Sequence, residues 1–136
     1  MIKLDYFKND DAGKLLLRFT IGFLMMFHGI AKITFEGSMS FIFAQFSEVG
    51  LPTFLGYGVF LGEIIAPLMI IAGFYSRLGG LLIVGNMFVA IVLVHMGELV
   101  SLGEHGGYAI EVQAFYLLGG LCVALLGSGR FALKSD

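Results

Sequence analysis

The sequence predicts an all-α integral membrane protein. The expected form is a four-helix bundle with both termini cytoplasmic (N-in/C-in) and an interfacial helix in the first extracytoplasmic connection. Three observations predict it. Hydrophobic types make up 58 % of the 136 residues and charged types only 13 %, against about 25 % charged in an ordinary soluble domain; mean hydropathy is +0.94. Four stretches reach the roughly 20 apolar residues that a helix needs to cross the hydrocarbon layer. Outside the spans, lysine and arginine occur only in alternate connections. Ten acidic and eight basic residues cannot coat a soluble surface on a chain otherwise this apolar. A soluble enzyme, a nucleic-acid binder and a disulfide-stapled secreted domain are excluded.

One transmembrane domain is expected over residues 1–136. Span one runs from about Ala12 to Phe35. Its charged front and apolar run look like a signal peptide, but it is too long and lacks a small-residue cleavage site, so a retained anchor is expected. Glu36 to Thr53 follows, with Phe41, Ile42, Ala44, Phe46 and Val49 making one side apolar and Gly50-Leu51-Pro52 stopping it. This is the interfacial helix. Span two covers about Phe54 to Phe74 and span three about Leu78 to Glu98. Only Tyr75, Ser76 and Arg77 separate them, which predicts a tight antiparallel hairpin. A glycine-rich connection from Leu99 to Gly107 leads to span four, about Tyr108 to Gly127.

Charge sets direction. Lys3, Lys8 and Lys14 precede or open span one, Arg77 lies in the short turn, and Arg130 and Lys134 follow span four. The two longer connections contain neither lysine nor arginine. The positive-inside rule therefore puts both termini and the Arg77 turn in the cytoplasm.

The informative residues are the polar ones within the spans: Arg18, His28, Lys32, Glu63, Asn86, His95, Glu98, Glu111 and Gln113. Each costs a few kcal/mol near the bilayer centre unless paired or facing water. From the helical rise, Glu63 falls close to the centre, His28 about 6 Å outward and Lys32 about 12 Å. His95, Gln113 and Glu111 come out roughly 9–12 Å outward, while Arg18 and Asn86 fall on the inner side. Arg18, Gly22, Met25, Gly29 and Lys32 share one face of span one, with His28 a turn before Lys32. The economical arrangement turns these stripes inward. Glu63 then meets Lys32 and His28, the two histidines approach across the bundle, and a polar chamber opens outward under the Phe41–Phe46 helix.

Plainer roles compete. Lys32 and Glu111 can snorkel, Arg18 can snorkel or form a structural ion pair, Glu98 can be interfacial, and a buried histidine can simply bond a neighbouring helix. Glu63 is too deep to snorkel, so it is protonated or paired, and a glutamic acid there can exchange protons. Cys122 is the sole cysteine; no internal disulfide, CxxC pair or structural zinc site can form. No protein metal site is expected. Histidines on two helices also allow a b-type haem, though two isolated histidines are a poor signal for one.

Arg18-x-x-x-Gly22, Phe27-His28-Gly29-x-x-Lys32, Gly50-Leu51-Pro52, Gly62-Glu63, the Gly73-to-Arg77 turn, His95 and Gly127-x-Gly129 together resemble the DoxX family of small bacterial and archaeal membrane proteins. The resemblance runs from about Gly13 to Leu133. It implies a multi-pass protein of the cytoplasmic (inner) membrane, and a quinone-linked or sulfur/thiol redox role, often within a complex. Some relatives are small subunits of a thiosulfate:quinone oxidoreductase. On this reading Glu63, His28 and Lys32 are the catalytic candidates, with Glu63 handling protons. His95, Glu111, Gln113 and Arg18 are the candidates for binding quinone or quinol. The expected partners are the lipid bilayer and a redox-complex subunit or a second copy of the chain, not nucleic acid. The competing readings are a non-catalytic partner subunit and a small-solute transporter; four short helices without a visible repeat disfavour the latter.

Overall fold

The computed structural model describes residues 4–136, so Lys3, counted above for orientation, lies outside the described residues. After a 3₁₀ turn at Asp5–Phe7 come five helical elements. Helix α1 is Asp10–Thr34, α2 is Ser38–Glu48, α3 is Thr53–Ala72, α4 is Ser76–Glu98 and α5 is Glu111–Leu126. Among the described residues there is no strand, only the isolated bridges Phe74–Lys134 and Leu102–Tyr108. Helices α1, α3 and α4 are long and apolar enough to cross a membrane.

Local chemistry sets the boundaries. Asn9 caps α1, its side chain accepting from the Ala12 N–H at 3.0 Å, with Asp10 and Asp11 at the positive end of the helix dipole. Gly37 and Gly50, both at positive φ, bracket α2, so the expected interfacial segment is a helix of 11 residues. Gly73 closes α3 in the left-handed region and Ser76 opens α4, giving the expected three-residue hairpin, now Gly73-Phe74-Tyr75.

Helix α5 is shorter than the expected span four. It has 16 residues, about 24 Å of rise. Tyr108, Ala109 and Ile110 are drawn instead into the preceding loop: the Tyr108 hydroxyl bonds the Leu99 carbonyl, and the Ala109 N–H bonds the Ser101 carbonyl.

The helices form a ring in which α1 packs on α3, α3 on α4, α4 on α5, and α5 back on α1. Met25, Ala66, Ile70, Ile83, Met87 and Val123 form the buried core. Close approach is made possible by glycines. A Cβ at Gly22 would strike the Pro67 carbonyl and the Ile70 and Ile71 side chains, and Gly80 and Gly120 each meet the other's carbonyl.

The end bearing the start of α1, the C-terminal segment and the α3–α4 turn is tied by its basic residues. Arg77 donates to the carbonyls of Ala124, Leu125 and Asp136, and Asp11 accepts from the Arg130 N–H. Arg18 is fully buried and donates to the carbonyls of Ile70 and Phe131. It fastens the C-terminal segment to α1 and α3.

Candidate functional site

Toward the opposite end the helices part, from as far down as Leu81 and Leu82 of α4. A cavity of about 1170 Å³ lies between α1, α3, α4 and α5, with α2 contributing Phe41, Ile42, Gln45 and Phe46. Its wall is mostly apolar. Polar side chains enter from α1, α3, α4 and α5 and form three small groups.

The first group is centred on Glu63, which is 3 % exposed. Lys32 Nζ donates to its Oε1 at 2.6 Å, and Asn86 Nδ2 donates to its Oε2 at 3.1 Å. Both carboxylate oxygens are thus held by donors from different helices, which is the condition for keeping such a charge away from water. The Lys32 side chain remains 25 % exposed and borders the cavity.

The second group pairs His28 of α1 with Tyr116 of α5, edge to face, ring centroids 5.4 Å apart. In the third, Gln113 Nε2 lies 3.3 Å from His95 Nε2. The other ring nitrogen of His95, Nδ1, is buried. That nitrogen lies 3.5 Å from a Glu98 carboxylate oxygen and makes no hydrogen bond.

The backbone is specialised at two of these positions. Glu63 sits in a π-helical turn, Leu61–Ile65, and His95 ends another, Ile91–His95. Such turns inside helices are rare and often found at functional sites. The first has a local cause. Pro67 has no N–H to offer the Glu63 carbonyl four residues back, and that carbonyl faces Gly29 of α1, where a Cβ would collide with it. Gly29 therefore lets α1 close on the widened turn and brings Lys32, one helical turn on, to the Glu63 carboxylate.

Five of the seven candidate site residues, His28, Lys32, Glu63, His95 and Gln113, line the cavity. Lys32 and Glu63 pair directly, as expected. The histidines do not pair with each other; each engages α5. Two candidates lie elsewhere. Arg18 is sealed at the far end by the carbonyls it binds. Glu111 is exposed at the start of α5 beside Gly107 and borders a shallow apolar patch with Tyr108, Ala114, Phe115 and Leu118.

Asn86, not among the candidate site residues, reaches Glu63, because Glu63 stands nine residues before Ala72 and Asn86 ten after Ser76 across a short turn. That hairpin arithmetic was the signal for it. Tyr116 gave no comparable signal in an apolar stretch. Among the described residues no group of three or more His, Cys, Asp or Glu side chains could hold a metal ion.

Fold and site together define a helical membrane protein with a charged pair at the head of a roofed, largely apolar cavity. The DoxX family model matches residues 13–96, which include His28, Lys32, Glu63, Asn86 and His95. The "Putative oxidoreductase CatD" of Bacillus subtilis (strain 168) is 30 % identical over 127 residues, 93 % of this chain and 87 % of that protein. No solved structure matches. The chain belongs to the DoxX family.

Proposed function

We propose that the chain binds a quinone in this cavity and acts as the quinone-reducing subunit of a redox complex in a bacterial or archaeal cytoplasmic membrane. The observation that carries the reading is Glu63, held by Lys32 and Asn86 at the polar head of a cavity with apolar walls elsewhere. Such a distribution suits a molecule with an oxygen-bearing ring and a hydrocarbon body. The name of the Bacillus relative, "Putative oxidoreductase CatD", supports redox chemistry as the class.

On this reading Lys32 and His28 donate to one quinone oxygen and stabilise the negative charge that develops as electrons arrive. Glu63 exchanges protons there, and Gln113 with His95 holds the far oxygen. The lone Cys122 cannot cycle as a dithiol, so the electrons come from a reduced sulfur or thiol donor brought by a partner subunit. Two sulfur anions each give up one electron and join in an S–S bond. The quinone takes both electrons and two protons and leaves as quinol.

The test uses the protein in lipid nanodiscs with whatever subunits co-purify. Quinone content is read by mass spectrometry, and quinone reduction by ultraviolet absorbance with thiosulfate or a thiol as donor. Glu63→Gln is expected to retain bound quinone while reduction slows by about 10²–10⁴-fold, the usual weight of a proton-transfer group. A folded protein that neither retains quinone nor changes the redox state of a quinone pool overturns the reading. The residue cluster would then serve only to anchor a partner, and Glu63→Gln and His28→Ala would lower assembly alone.

A further inference from the structure

Glycine inside a membrane helix ordinarily marks close approach of another helix. Gly22, Gly29, Gly62, Gly80 and Gly120 follow that rule, since a Cβ at any of them would collide with a neighbouring helix. Gly13, Gly58, Gly85 and Gly97 do not, since a Cβ at any of them would meet nothing within 4 Å. Gly13 and Gly97 stand in the end turns of α1 and α4, whereas Gly58 and Gly85 lie inside α3 and α4. Gly58 and Gly85 both border the cavity. A helix-interior glycine costs about 1 kcal/mol relative to alanine, and no packing offsets it at these two positions. What they provide is open space.

That space has a shape. Leu81, Gly85, Phe88 and Val92 follow one another at helical spacing on a single face of α4, and all four line the cavity. Leu81, Phe88 and Val92 are exposed, so this limb runs along the lipid side of the bundle. By helical rise it is about 16 Å long. Gly58 and Leu61 border the cavity from α3. Asn86, the next residue after Gly85, donates to Glu63, so the limb joins the polar head directly. At about 1170 Å³ the whole cavity also exceeds the roughly 300–1,000 Å³ usual for small-molecule pockets.

We infer that the limb along Gly58 and Gly85 is a binding groove and lateral entry for the polyprenyl tail of the quinone, and that these two glycines set tail selectivity. The inference rests on the quinone reading and adds the class of quinone: long-tailed and drawn from the bilayer. A bulky side chain at either glycine fills the groove.

The experiment measures, in nanodiscs, the affinities of tail-less and polyprenyl forms of a benzoquinone and a naphthoquinone. Gly85→Phe and Gly58→Phe are each expected to lower the ratio of tailed to tail-less affinity about tenfold, the equivalent of roughly two buried methylenes. Leu125→Phe, an exposed α5 position outside the cavity, should leave the ratio unchanged. If the glycine variants do not change the ratio while wild-type protein binds tail-less quinone, bulk lipid fills the limb and the inference fails alone. If wild-type protein binds none of the four quinones, the quinone reading fails and the inference with it.

Discussion

Glu63 meets its two donors from different directions, and this decides how its neighbours respond to substitution. A buried ion pair offsets the desolvation of its members only while both are present. Removing one leaves an uncompensated charge and costs about 3–5 kcal/mol, whereas replacing both by apolar groups is often neutral. Lys32→Met alone is therefore expected to destabilise the protein by an amount of that order in detergent denaturation. The double variant Lys32→Met/Glu63→Leu should recover most of the loss while quinone binding stays impaired. Equal losses in the single and double variants would show that the pair makes no cooperative contribution. Asn86 belongs to the same unit, because without it the second carboxylate oxygen has no donor in the structure. Arg18 is the contrasting charge, since its partners are backbone carbonyls and its work is to hold the C-terminal segment.

Helices α1 and α3 show why the site lies where it does. Pro67 removes an N–H, a π turn accommodates the change, and Gly29 gives α1 the clearance to approach the displaced carbonyl. Gly29→Ala forces these helices apart at the level of Glu63. The expected cost is about 1–3 kcal/mol of stability, with weakened quinone binding as Lys32 withdraws. A Gly29→Ala protein with unchanged melting temperature and unchanged quinone affinity would contradict this coupling. Hydropathy made the spans legible, because about 20 apolar residues in a row have few other uses. The Lys32–Glu63 meeting was legible from helical facing. The π turns were not, since they change the hydrogen-bond register without changing the hydropathy pattern. Nor was the shortening of α5, which the loop bonds of Tyr108 and Ala109 decide.

Taken together, the ring of helices separates two tasks by end. Arg18, Arg77, Asp11 and Arg130 fasten the end that carries the start of α1 and the C-terminal segment, and the cavity opens toward the other under α2. The positive-inside rule predicts that the fastened end faces the cytoplasm. In a Cys122→Ser background, Glu104→Cys should react with an impermeant maleimide on intact cells, and Ser135→Cys only after permeabilisation; the opposite pattern would invert the protein. The account depends most on the quinone ring lying beside Lys32 and Glu63, and photolabelling with an azidoquinone followed by peptide mass mapping tests this directly. The predicted adducts fall on the His28–Lys32 stretch of α1 and around His95 of α4, and are competed away by unlabelled quinone. Label confined to the exposed Phe19–Phe23–Phe27 face of α1, and unaffected by competitor, would contradict the account.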